Sequence, residues 1–148
     1  MIKRRGGSLI SKIHQISGRI FNRILQQEGI AEINSAQGRI LFALWEKDGI
    51  PITTLSKMTL LERSTLTGML DRLERDGLIA RIPSPDDRRA ILIHRTEKDR
   101  QFQKKYLDVS EKMLGIFYRG ISAGEIDRFE KTLEQVLRNC IEEEQHNG

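Results

Sequence analysis

The chain is poor in the residues that staple or metallate small proteins. Cys140 is its only cysteine, so no intramolecular disulfide framework can hold it. Its three histidines, His14, His94 and His146, stand far apart and give no Cys/His metal spacing, so no metal is expected. No apolar run approaches the ~20 residues that span a bilayer, and no membrane partner is expected. The basic start, Met1 to Gly7, leads into no long apolar segment with a small-residue cleavage site, which predicts a cytoplasmic protein. Signatures of catalysis are missing too: there is no phosphate-cradling glycine loop, no nucleophile elbow and no His/Asp pair near a reactive Ser or Cys. Asp86-Asp87 beside two arginines is more simply an ion-paired turn than a pair of catalytic carboxylates. No enzyme, catalytic residue or cofactor is expected.

Acid is also absent from the first 27 residues, which carry Lys3, Arg4, Arg5, Lys12, Arg19 and Arg23. The end of the chain is acidic instead, with Glu142-Glu143-Glu144. The net charge of +4 is a mild basic bias, and its distribution says more than its size. A length of 148 residues suits one domain with its own core, or one that completes its core by dimerising.

Apolar periodicity predicts a mostly helical chain with a small β component. Leu9, Ile10, Ile13, Ile16, Ile20, Ile24 and Leu25 mark a first helix ending near Glu28-Gly29. Asn34 with Gln37 forms a capping-box pattern that opens a second helix, which stops at Lys47-Asp48-Gly49. Pro51-Ile52 can be only a very short strand. Thr53 or Thr54 can cap a short third helix bearing Leu55 and Met58. A fourth helix runs from Leu61-Glu62-Arg63-Ser64 to about Arg75 and ends at Asp76-Gly77. Strands are expected at Leu78–Ile82 and Ala90–Arg95, joined by Pro83-Ser84-Pro85-Asp86-Asp87-Arg88-Arg89. Two more helices follow, one striped by Phe102, Tyr106, Val109, Met113 and Phe117, the other by Ile126, Phe129, Leu133, Val136, Leu137 and Cys140. Ser122 with Glu125 is the capping pattern between them.

A short helix, a second polar-faced helix and an Arg-tipped hairpin, in that order, describe a winged helix-turn-helix. On a helical wheel of residues 62 to 75, Leu66, Leu70 and Leu73 gather on one side, with Met69 at its edge. Ser64, Gly68, Asp71 and Arg75 fall opposite, flanked by Thr65, Thr67 and Arg72. Small residues let the backbone approach base edges, hydroxyls hold phosphates or bases, and arginine forks onto guanine. In the turn, Asp87 and Arg89 are placed to pair, leaving Arg88 or Arg89 to enter the minor groove. Long apolar stripes at both chain ends suggest helices that join two such units into a dimer.

The run Ser64-Thr65-Leu66-Thr67, Leu70-Asp71-Arg72-Leu73-Glu74, Gly77-Leu78-Ile79, Arg81, Pro85-Asp86-Asp87-Arg88-Arg89-Ala90 and Thr96-Glu97-Lys98 resembles the MarR family of transcriptional regulators. Helix order extends the resemblance over nearly the whole chain. It implies a single domain over 1–148, with dimerisation helices at 8–33 and 97–145 and a winged helix-turn-helix DNA-binding unit at 34–96. The implied function is a ligand-responsive repressor that binds a pseudo-palindromic operator as a homodimer. The alternative is a winged helix that binds another protein and not DNA. The implied partners are operator duplex, a second copy and a small-molecule effector whose contacts the sequence does not name. DNA contacts are expected from Arg63, Ser64, Thr65, Thr67, Gly68 and Arg72 on the helix and from Asp87, Arg88 and Arg89 in the wing, with Asp87 positioning Arg89. Four positions depart from the family pattern: Gly68 where arginine is frequent, Gly38 where a bulky aromatic is common, and Leu60 and Asp99 where glycine is usual. Some members sense peroxide through cysteine; Cys140, on an apolar stripe, is expected to be buried and structural instead. His14 is expected to be partly buried and hydrogen-bonded, and His94 to face phosphate or solvent.

Overall fold

The computed structural model describes residues 3–30 and 32–148. Within them, nine elements follow in chain order: α1 (Gly6–Gln27), α2 (Ser35–Glu46), β1 (Ile50–Pro51), α3 (Ile52–Thr59), α4 (Arg63–Arg75), β2 (Ile79–Pro83), β3 (Ile91–Arg95), α5 (Glu97–Phe117) and α6 (Ala123–Asn147). They fall into two compact units, one running to residue 113 and one over 114–148.

Local signals set most of these boundaries. Asn34 caps α2 through the Gln37 N–H at 2.9 Å, and the Gln37 side chain accepts the Asn34 N–H at 3.1 Å, completing the capping box. Helices α1 and α4 both end on a glycine in the left-handed region, Gly29 and Gly77. In each, the next residue's N–H reaches back to the helix, Ile30 to the Leu25 carbonyl and Leu78 to the Leu73 carbonyl. Those pairs are buried, so each stop is sealed by an apolar contact as well as by hydrogen bonds. Helix α3 departs from expectation. Pro51 is its N-cap and no side chain caps it, so Thr53 and Thr54 lie within the helix. Proline's fixed φ, here −65°, suits the extended residue just ahead of a helix.

The sheet is antiparallel with order β1-β3-β2, pairing Ile50 with Ile93 and Ile79 through Pro83 with Arg95 through Ile91. Ile40, Leu41 and Leu44 of α2, Leu55 of α3, Leu66, Leu70 and Leu73 of α4 and Ile93 of β3 are fully or almost fully buried together. Leu25, Tyr106 and Val109 join this core from α1 and α5. Tyr106 sits among four aromatic rings, Phe21, Phe42, Trp45 and Phe102, at centroid distances of 5.4 to 5.7 Å. Gly38 makes room for it: any side chain there would collide with the Tyr106 hydroxyl. That explains why this chain has no bulky aromatic at position 38.

A second departure from the family pattern has an equally direct reason. Asp99, fully buried in the first turn of α5, accepts the Trp45 indole N–H at 3.0 Å and the Arg95 Nε–H at 2.6 Å. Arg95 also donates to Gln103 Oε1 at 2.6 Å and lies over the Trp45 ring. Thr96 donates to the Gly77 carbonyl and accepts the Asp99 N–H, tying the end of α4 to the start of α5. A glycine at position 99 would leave a half-buried indole N–H and a nearly buried guanidinium without their shared acceptor.

Three expectations need correction. Cys140 is exposed, as α6 has no fully buried residue. His14 is exposed as well. Pro51 belongs to β1, but Ile52 already starts α3. The apolar stripes expected to bury these side chains are themselves open. Leu9, Ile10, Ile13 and Ile16 of α1 are each at least 41% exposed, and Phe129, Val136 and Leu137 of α6 lie between 39% and 48%.

Candidate nucleic-acid interface

Helix α4 divides as its sequence period requires. Leu66, Leu70 and Leu73 are fully buried, whereas Arg63, Ser64, Thr65, Thr67, Gly68 and Arg72 are all exposed. At 100° per residue the leucines fix the inner face, so the remaining positions have nowhere else to point. Space beside Gly68 is open: a Cβ added there meets nothing within 4 Å. Thr67 Oγ1 donates to the Arg63 carbonyl at 2.8 Å, leaving its lone pairs and methyl group to the outside. Arg63 and Arg72 form no ion pair among the described residues.

Asp71, on the same outward side, is already engaged. It pairs with Arg81 of β2 at 2.8 Å, and Glu74 pairs with the same guanidinium at 3.0 Å. Glu74 also accepts the Arg81 backbone N–H. Arg81 therefore braces α4 against the first strand of the hairpin and offsets part of the charge of two carboxylates that would repel phosphate. The sequence alone assigns Arg81 no role. Its spacing, ten residues from Asp71 across a turn, gives no local signal.

The wing turn is built by short-range bonds. Ser84 N–H meets the Ala90 carbonyl at 2.8 Å, and Ala90 N–H meets the Asp87 carbonyl at 3.0 Å. Asp87 Oδ1 accepts the Arg89 backbone N–H at 3.0 Å and forms no ion pair with its guanidinium. The expected pairing is thus corrected: Asp87 folds the turn, and the Arg88 and Arg89 guanidiniums pair with no carboxylate among the described residues. Free guanidiniums at a turn apex are available to phosphate or to a narrow minor groove.

Helix and wing converge on a cleft of about 340 Å³ lined by Arg63 and Thr67, by Arg81 and Arg89, and by Pro51, Ile52, Thr53, Ala90, Ile91 and Ile93. Its lining is both cationic and apolar. A smaller, polar cleft of about 180 Å³ lies between α1, the start of α2 and Arg72. His94 is half-buried, its ring packed on Gly49. Among the described residues no three His, Cys, Asp or Glu side chains gather as a metal site, and no helix is long and apolar enough to cross a membrane.

Comparison with known proteins places this geometry. The sequence profile of the MarR family matches residues 33–91, a span that holds α3, α4 and the whole wing turn. The organic hydroperoxide resistance transcriptional regulator of Bacillus subtilis is 36% identical over 76 residues, 51% of this chain and 52% of that protein. The chain thus aligns with about half the length of that relative. The multiple antibiotic resistance protein MarR of Escherichia coli is 27% identical over 132 residues, covering 88% of this chain and 90% of its own length. A crystal structure of a mutant of that E. coli protein complexed with operator DNA superposes with a TM-score of 0.80 at 27% identity, over 88% of this chain and 92% of that one. Profile, relatives and superposition agree on a winged helix similar to that of the MarR family of transcriptional regulators.

Proposed function

We propose that this protein is a cytoplasmic repressor that binds a pseudo-palindromic operator as a homodimer and releases it when a small molecule binds. The observation that carries the reading is the face of α4: small, hydroxylated and cationic outward, leucine inward, with two unpaired wing arginines beside it. In this reading Ser64, Thr65, Thr67 and Gly68 approach base edges in the major groove. Arg63 and Arg72 hold phosphates or guanine, and Arg88 or Arg89 reaches the adjacent minor groove. Phosphate contacts supply most of the affinity and the recognition helices the choice of sequence.

In this reading the open apolar stripes of α1 and α6, within the proposed dimerisation segments 8–33 and 97–145, supply the dimer contacts. Their exposure in one chain is what a helical interface would cover. The 340 Å³ cleft suits a small aromatic anion. Its occupant would draw on Arg63 and Arg89, the same cations that DNA needs, so ligand and operator would compete.

Selection of bound genomic fragments with the purified protein, followed by anisotropy titrations, tests the reading. Arg89→Ala should weaken operator and random duplex alike, by about tenfold, with the dimer intact. Thr67→Val should instead change the ranking of operator variants. Duplex binding that is absent, or indifferent to salt, would make this winged helix a protein-binding module.

A further inference from the structure

The winged helix leaves one pattern of charge unused. Of the first 27 residues six are cations and none is an acid, and none of Lys3, Arg4, Arg5, Lys12, Arg19 and Arg23 forms an ion pair among the described residues. Glu142, Glu143 and Glu144, in the last turns of α6, likewise meet no cation there; Glu143 only accepts the Asn147 amide. Each cluster sits at the unfavourable end of its own helix. The amino end of α1 is already a positive pole, has no acid in its first turn and is not capped by the Arg5 side chain. The carboxyl end of α6 is a negative pole, and three glutamates add to it. The two ends are therefore opposite in side-chain charge and opposite in backbone dipole. Both helices also present uncovered apolar stripes.

We propose that the basic amino end of α1 receives the acidic carboxyl end of α6 from a second copy of the chain, so that charge sets the register of the homodimer. Two-fold symmetry makes the contact twice, which is why one sequence carries both halves. Duplex DNA could take the basic arm but has no use for the glutamates. This inference rests on the homodimer reading above.

The test is charge reversal with mixing, read by sedimentation equilibrium. One variant carries Lys3→Glu, Arg4→Glu and Arg5→Glu; the other carries Glu142→Lys, Glu143→Lys and Glu144→Lys. All six positions are exposed, and circular dichroism checks that both variants keep their helices. At low salt each variant should dimerise about tenfold more weakly than the parent, and an equimolar mixture should recover parental affinity as heterodimer. Raising NaCl from about 50 mM to about 500 mM should weaken the parent dimer and tighten the variants, whose like charges are then screened, so that the affinities converge. A mixture no tighter than either variant would overturn the proposal, as would variants that lose duplex affinity while dimerising normally. A parent that stays monomeric at every concentration would instead overturn the homodimer reading beneath it.

Discussion

Glycine in the middle of an exposed helix is a costly choice, and Gly68 is such a residue. It lowers helix propensity by roughly 0.5–1 kcal/mol relative to alanine and offers DNA no side chain. Nothing stands within 4 Å of the missing Cβ, so packing gives no reason for it. Gly68→Arg should stabilise the fold by a few tenths of a kcal/mol or more and tighten duplex binding several-fold, seen as a higher Tm and a steeper salt slope in anisotropy. Leu60 shows the opposite case. It holds φ 58° in the turn before α4 as the one non-glycine residue with positive φ among those described, and its side chain is mostly exposed. Leucine bears a steric cost of ~1 kcal/mol in that conformation, which is why glycine is usual there.

Between elements, the molecule relies on polar joints that cross long stretches of sequence. Asp99 gathers Trp45 of α2 and Arg95 of β3 at the start of α5, 54 and 4 residues away. Removing its carboxylate strands a half-buried N–H and a nearly buried guanidinium. Asp99→Ala should therefore lower stability by about 2–4 kcal/mol in urea titrations, far more than loss of an exposed ion pair such as Lys98–Glu32. Joints of this kind mark the limit of legibility. The cap of α2 and the stops of α1 and α4 depend on residues only a few positions apart, so the chain displays them openly. The inner and outer faces of α4 follow from period alone. Arg81 bracing Asp71 and Glu74, and Asp99 joining Trp45 to Arg95, arise only after folding brings distant segments together. Asp87 is legible as a turn residue, but its partner is a backbone N–H, which no pattern of charges reveals. Cys140 and His14 lie open against expectation because an apolar stripe says that a face will be covered, not that its own chain covers it.

For the molecule as a whole, the aromatic centre imposes a limit in alkali. Burial among four rings pushes the Tyr106 hydroxyl up from its ordinary value of 10.0. The folded state thus holds this proton more tightly than the unfolded chain does. Its contribution is complete below about pH 10 and is lost as pH rises beyond that, because only the unfolded chain ionises freely. Tyr106 donates to no described residue, so Tyr106→Phe should cost little at neutral pH and flatten the alkaline fall in Tm above about pH 10. Tyr118, pushed up to about 12 by its hydrogen bond to Glu130 at the surface, adds less because solvent screens it.

Trp45 is the only tryptophan in the chain, and its indole nitrogen rests on the carboxylate that also holds the last residue of the wing. The protein therefore carries a built-in optical gauge at the joint between the hairpin and α5. Any event that tilts β3 against α5 changes the charge beside the chromophore, and emission follows without a label.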